Sequence, residues 1–327
     1  MGPTVSTVLP VYNCPQYIGE AIESVLAQSF TNFELIVIDD GSRDETPDVL
    51  RRYTDSRIRH LSQENQGLAA TLNRGIALAR GRYVARQDQD DVSLPARFER
   101  QVAYLDANPA CGLVGTWARI WREKEHTTRA HSHPSGNARL KFELLLNNPF
   151  VHSSVMLRKA TLDRVGGYST DRGRQPPEDY ELWSRIARVF EVANIPEILH
   201  VYREVGTSMS RDGPSPFLDH LVAICAENIA LAAGERPDNP QVVNIAALAH
   251  GAVGRLRGEP DWNGMRRVFL AAVRNVVRDE DPKNFESEGA SRIEALRYRL
   301  FEMRHRAPWR RVLARALLKA RRTVTGA

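Results

Sequence analysis

No run of apolar residues in this 327-residue chain is long enough to span a bilayer, which takes about 20 residues. The opening Met-Gly-Pro-Thr-Val-Ser carries neither the charged region nor the apolar core of a secretion leader, so a soluble, cytoplasmic chain is expected. Cysteine is scarce. Cys14, Cys111 and Cys225 are odd in number and far apart, with no Cys-x-x-Cys, which excludes a disulfide framework and leaves reduced packing thiols. A basic body is missing as well: the net charge of +5 arises in residues 301–327, which carry +7, and everything before them sums to −2. The high isoelectric point is therefore a property of the tail and gives no ground for a nucleic-acid partner.

What is present is 42% apolar residues, enough for one large domain or two with a substantial core. The first ~110 residues alternate strand and helix with short connections, the pattern of a sheet covered on both faces. Val5 to Val11 reads as a strand and Pro15 opens a helix with Tyr17, Ile18, Ala21, Ile22, Val25 and Leu26 on one face. Phe33 to Ile38, apolar apart from Glu34, reads as a buried strand, and Ser42 with Glu45 has the spacing of a capping box for a helix running to about Tyr53. Arg57 to Leu61 and Tyr83 to Gln87 read as strands, Leu68 to Ala79 and Pro95 to Ala107 as helices, and Cys111 to Trp121 as another strand. The polar segment 122–137, with His126, His131 and His133, reads as a mobile loop; those histidines have no Cys or carboxylate at ligand spacing. Val151 to Leu157 is a strand, and Glu178-Asp179 opens a helix after a loop rich in Arg, Gly and Pro. From about Pro216 every periodic stretch is helical.

The chemistry concentrates at strand ends. Asp88, Asp90 and Asp91 crowd the end of an apolar strand, where like charges repel unless they are solvated or matched by a counter-charge. Two readings stay open for the triad alone, an acidic surface turn and a divalent-cation site. Asp39-Asp40 ends a second strand, and in open α/β sheets ligands bind in the crevice beyond the carboxyl ends of the strands, so both clusters can face one site.

In order along the chain stand Pro10-Val11-Tyr12-Asn13, Ile38-Asp39-Asp40-Gly41-Ser42, Asn65-Gln66-Gly67-Leu68 with Asn73, Asp88-Gln89-Asp90-Asp91, Gly166-Gly167-Tyr168 and Glu178-Asp179-Tyr180-Glu181-Leu182-Trp183. This ordered set, over roughly residues 4–210, resembles the inverting family 2 glycosyltransferases of the glycosyltransferase A fold. The resemblance implies a Rossmann-like α/β fold with a mostly parallel central sheet, followed by an all-helical C-terminal region. It divides the chain into a catalytic domain at 1–215, with a nucleotide-binding half at about 1–110 and an acceptor half at about 111–215, and a helical region at 216–327. It also implies a nucleotide diphosphate sugar as donor and a glycan or lipid-linked hydroxyl as acceptor, in bacterial surface polysaccharide assembly. Pro10, Tyr12 and Asp40 would lie at the nucleotide, Tyr12 against the base and Asp40 accepting a hydrogen bond from it. Asp90 and Asp88 would hold Mn2+ or Mg2+ on the diphosphate, with Asp88 also facing the ribose or sugar and Asp91 supporting from behind. Asp179 would be the base that takes the acceptor's proton. The blander roles are a capping aromatic for Tyr12, a turn residue for Asp40 and helix caps for Glu178 and Asp179.

His152 stands where the family often has a polar residue near the acceptor, or is a satisfied structural histidine; Arg203 reaches phosphate or is a surface charge. Rival functions are a sugar-phosphate nucleotidyltransferase, which would need a Gly-rich basic loop in place of Val11-Tyr12-Asn13-Cys14-Pro15, a glycoside hydrolase with paired carboxylates, and a catalytically silent nucleotide-sugar-binding protein. In the tail 305–327, Trp309, Val312, Leu313, Ala316, Leu317 and Ala320 form an apolar stripe opposite Arg311, Arg315, Lys319 and Arg322. That pattern suits a helix on an anionic membrane face, or one docked on the protein's own helices.

Overall fold

Val5–Val11 (β1) and Phe33–Asp39 (β2) are buried at every position, which is why both are mostly apolar, and the buried Ser6 Oγ donates to the buried Glu34 at 2.7 Å. A computed structural model of the chain describes residues 2–206, 216–278 and 280–305. Ile18–Leu26 (α1) turns Ile18, Ala21, Ile22 and Val25 inward, where they pack in one core with Leu9, Leu35, Val37 and Phe98. Thr46–Leu50 (α2), Ile58–Ser62 (β3), Leu68–Leu78 (α3) and Tyr83–Arg86 (β4) follow, then Val92–Ser93 (β5) and Arg97–Ala107 (α4). Cys111–Arg122 (β6) and Glu125–His131 (β7) form a hairpin. Asn137–Leu144 (α5), a 3-10 turn at His152–Ser154, Met156–Arg158 (β8), Lys159–Val165 (α6), Glu178–Val189 (α7) and Glu191–Glu204 (β9) complete the sheet and its flanks.

The strands lie in the order β3-β2-β1-β4-β8-β6-β9-β5, with β7 paired to β6. Pairings β3–β2, β2–β1, β1–β4 and β6–β9 are parallel, while β4–β8, β8–β6, β6–β7 and β9–β5 are antiparallel. The sheet is therefore mixed, and the mostly parallel expectation describes only its first half. A short hairpin such as β6–β7 can only pair antiparallel, and the short β8 and β5 run against their neighbours.

Three elements differ from expectation. The strand read at Val151 to Leu157 is a 3-10 turn at His152–Ser154 followed by β8 at Met156–Arg158. Within segment 122–137, Glu125–His131 is the edge strand β7, held by backbone pairing to β6 and without the apolar alternation that marks a strand in sequence. The Ser42–Glu45 capping box is absent: α2 starts at Thr46 without a side-chain cap, and Ser42 Oγ instead accepts the Asn13 amide at 2.9 Å. All three cysteines are buried and free.

The chain divides into two compact units at Asn228/Ile229, inside Phe217–Ala233 (α8) rather than before it. The first turns of α8 belong with the sheet, since Asn228 Nδ2 donates to the Leu144 carbonyl and to Ser184 Oγ. The second unit is helical. Pro240–Ala249 (α9) and Trp262–Val276 (α10) are capped by Asn239 and Asp261, and Pro282–His305 (α11) packs on them through Ile293, Leu296 and Leu300. Among the described residues no helix is long and apolar enough to cross a membrane. The amphipathic tail read at 305–327 lies outside the described residues, apart from the backbone of His305.

Candidate active site

The register Val11↔Asp39 aligns the ends of β1 and β2 and sets Tyr12 beside Asp40. Pro10 is buried within β1 opposite Ile38, so it shapes the strand and presents no polar group. Tyr12 is 42% exposed, and its amide donates to Gln89 Oε1 at 2.7 Å, which ties it to the Asp88–Asp91 turn. Asp40 is buried and already engaged. Its Oδ1 accepts from Gln63 Nε2 (2.6 Å) and the Gln66 amide (2.9 Å), and its Oδ2 from the Gly67 amide (2.9 Å). Asp40 thus fastens the Asn65-Gln66-Gly67 loop beside the crevice, a role the motif alone did not suggest. Gly41 makes that fit possible: it sits at φ +80°, and a Cβ there would lie 2.9 Å from the Asn65 amide.

Gln87 organises the acid turn. Its Nε2 donates to the carbonyls of Asp88 (3.1 Å) and Asp91 (2.8 Å), and its Oε1 accepts from Ser93 Oγ (2.6 Å) and Arg97 Nη1 (3.2 Å). The three carboxylates then diverge. Asp91 is fully enclosed: Ser153 Oγ donates to Oδ2, His200 Nε2 lies 3.3 Å from Oδ2, and the Arg203 amide donates to Oδ1 at 2.8 Å. Asp88 Oδ1 accepts from Arg86 Nη2; burial opposes its charge, but the Arg86 guanidinium outweighs that and holds the carboxyl below its usual range. Asp90 receives no hydrogen bond from another residue among those described. Burial first, then the charges of Asp91 and Asp88, push it up to about 8, and burial with Asp88 pushes Asp91 to about 7.

Part of the counter-charge expected of a metal is therefore resident protein. Besides Arg86, Arg97 is fully buried, donating through Nη2 to the carbonyls of Arg86 (2.8 Å) and Val155 (3.1 Å). Arg203 is neither a surface charge nor a free phosphate ligand. It is 2% exposed, its Nε donates to the Asp90 carbonyl (2.7 Å) and its Nη2 to Glu20 (2.5 Å), and it lies over the rings of Tyr17 and Trp121.

α7 brings Asp179 to its first turn, where the helix N-terminus favours negative charge. Asn148 Nδ2 donates to Asp179 Oδ2 (2.8 Å), and the Tyr180 amide donates to Oδ1 (2.7 Å). Glu178 is buried, and burial with the Asp179 charge pushes it up to about 7. His152 is a bridge: Nε2 is 3.0 Å from the Tyr168 hydroxyl, Nδ1 is 3.8 Å from Glu178 Oε1, and its ring meets Trp183 edge-on. Tyr168 is held at its backbone by Asn73, which both accepts from its amide and donates to its carbonyl at 2.8 Å. Gly167 permits that approach, because a Cβ there would stand 2.2 Å from Asn73 Oδ1. The two halves meet electrostatically: both Asp88 and Asp179 act on His152, Tyr168 and Glu178.

Among the described residues no three His, Cys, Asp or Glu side chains gather into a metal cage. The donor set suits a different arrangement, in which a hard cation takes one or two carboxylates and completes its shell with water and substrate phosphate. Asp90, and the Asp88 oxygen not paired to Arg86, are the groups available for that.

Stability should report the crowding. Asp90, Asp91 and Glu178 stay protonated in the fold where unfolded carboxyls, with pKa near 4, have ionised. The folded chain then holds more protons than the unfolded one from about pH 4 to about pH 8, and stability falls as pH rises through that window. His200 and His152, lowered by burial, contribute the opposite slope only below about pH 6.5. Calorimetry in chelator should show Tm falling from about pH 6.5 to about pH 8.5, by at most roughly 1.4 kcal/mol per proton and pH unit. A Tm that is flat or rising there would mean that the three carboxyls are ionised in the fold.

Residues 6–166 match the family model described as "Glycosyl transferase family 2". EpsE of Bacillus subtilis (strain 168), whose name describes it as a glycosyltransferase, is 34% identical over 230 residues, 68% of this chain and 81% of that protein. The O-antigen biosynthesis glycosyltransferase WbnJ of Escherichia coli is 33% identical over 185 residues, 56% of this chain and 71% of that protein. Among solved structures, S. aureus TarS 1-349 in complex with UDP-GlcNAc superposes with a TM-score of 0.60 at 18% identity, covering 91% of this chain and 92% of that one. At that identity the likeness shows the fold alone.

Proposed function

The chain belongs to the family 2 glycosyltransferases, and from that premise we propose that it is a metal-dependent, inverting transferase that moves a hexosyl group from a nucleotide diphosphate sugar to a hydroxyl of a glycan or lipid-linked acceptor. The observation that carries the reading is the pairing of a carboxylate that accepts no hydrogen bond from another described residue, Asp90, with a second carboxylate, Asp179, whose field reaches the same His152 and Glu178 as Asp88. The nucleotide-sugar donor is supported by the UDP-GlcNAc bound to TarS, and the polysaccharide acceptor by the O-antigen role in WbnJ's name.

In this reading the base of the nucleotide lies on the exposed ring of Tyr12, within the loop that Asp40 fastens. Mn2+ or Mg2+ held by Asp90, with Asp88 beside it on the donor, would supply positive charge to the diphosphate as it leaves. Asp179 accepts the proton of the acceptor hydroxyl while that oxygen forms its bond to the anomeric carbon. The bond from that carbon to the diphosphate breaks on the opposite face, which inverts the configuration. Asn148 keeps Asp179 Oδ2 oriented, and the other oxygen retains acceptor capacity. Incubation with candidate acceptors, nucleotide sugars and Mn2+ should release nucleoside diphosphate in step with glycosidic product. Sugar release without any nucleotide would favour a hydrolase instead.

Contact of residues 305–327 with the inner face of the cytoplasmic membrane is proposed from the sequence alone, on its apolar stripe and basic face. Co-sedimentation with anionic vesicles should be lost when these residues are deleted, and unchanged sedimentation would refute it.

A further inference from the structure

At the end of β4 lies a buried cation to which the reaction above gives no task. Arg86 is 2% exposed, is the last residue of β4 and stands two residues before Asp88. Its Nη2 donates to Asp88 Oδ1 and its Nη1 to the Gln87 carbonyl, while its amide donates to the Val155 carbonyl at 3.0 Å. Its Nε is buried with no acceptor. A buried guanidinium with an unmatched N–H is disfavoured unless it answers a charge that must be held there. The Asp88 carboxylate, in direct contact with Arg86, is that charge. Among the described residues no other donor reaches the Asp88 carboxylate, so its second oxygen is left open.

We propose that Arg86 is a positioning residue for the donor sugar: it occupies one oxygen of Asp88 and fixes that carboxylate so that the other accepts a hydrogen bond from a donor hydroxyl, leaving Asp90 to the cation. The inference rests on the nucleotide-sugar reading. A hydroxyl held by an anionic acceptor makes one of the stronger neutral-to-charged hydrogen bonds, and it gains from an acceptor that cannot rotate. Lysine cannot replace the fork, because a single ammonium on a flexible stem would not hold Gln87 and Asp88 together.

The test uses Arg86→Lys, Arg86→Met, Asp88→Asn and the double variant Arg86→Met with Asp88→Asn. Each is titrated with the nucleotide sugar on which the wild type turns over and with its parent nucleoside diphosphate, both with Mn2+. Arg86→Met should weaken the nucleotide sugar about tenfold or more while leaving the nucleoside diphosphate within about threefold. Arg86→Lys should restore part of the loss, and the double variant should bind no more weakly than the worse single one. Equal losses for both ligands, or losses that add in the double variant, would overturn the proposal. Without ligand, Asp88→Asn should lower Tm in the wild type and leave it unchanged or raise it beside Arg86→Met; additive Tm changes also overturn the proposal. That arm stands even if no nucleotide sugar is turned over, a result that would sink the transferase reading instead. Should Arg86→Met fail to fold, Arg86→Lys paired with Asp88→Asn carries the same comparisons.

Discussion

Asp179→Asn lowers kcat by about 10²- to 10⁴-fold and leaves donor affinity within about twofold, since general-base catalysis contributes on that scale. The expectation follows from where Asp179 sits. It is partly exposed at the first turn of α7, and among the described residues two hydrogen bonds, from Asn148 and the Tyr180 amide, occupy its oxygens. An asparagine keeps the shape and can still accept from Asn148, so the acceptor pocket should survive while the proton has nowhere to go. Its neighbour Glu178 is a poor substitute, being enclosed beside His152 and pushed up to about 7. Transfer rates come from nucleoside diphosphate release and donor affinity from calorimetry. Persistent transfer would remove Asp179 from the role of base.

Asp90→Ala abolishes the cation dependence of donor binding, with a loss of about 100-fold or more in affinity measured with Mn2+, and at the same time raises the Tm of the metal-free protein above pH 7. The two effects share one cause. The Asp90 carboxylate has no donor from another described residue and is pressed by Asp91 and Asp88, so in the free protein its charge is a liability and with a cation bound it becomes the ligand. Loss of metal-dependent binding without any gain in metal-free stability would place the crowding elsewhere. Unchanged binding would remove Asp90 from the metal role altogether.

Much of the donor half was legible because its signals are local. Val5 to Val11 and Phe33 to Asp39 are mostly apolar and buried throughout, and Tyr12, Asp40 and Asp88 sit where strand ends must place them. Long-range partners were not legible. Arg203 reaches Asp91 across 112 residues, and His200 reaches Ser153 across 47, with nothing in the local pattern to announce either. β9 was hidden by its length and by Pro196, and its pairing with β6 shifts register around Trp117. Arg86 is the instructive miss. Arginine and aspartate stand two apart in Arg86-Gln87-Asp88, so a resident counter-charge is readable there, but a divalent cation would answer the same carboxylates and the local pattern does not separate the two.

The most direct measurement is thermal unfolding of the full chain against a panel of nucleotide sugars, each with and without Mn2+. A ligand present at about 100 times its dissociation constant stabilises by about 2.7 kcal/mol, which for a domain of this size raises Tm by about 5–10 °C. At least one nucleotide sugar should do so with Mn2+ and lose most of the effect in chelator. A panel in which no nucleotide sugar moves Tm, or in which the shift is the same with and without the cation, would contradict a metal-assisted donor site at Asp88 and Asp90.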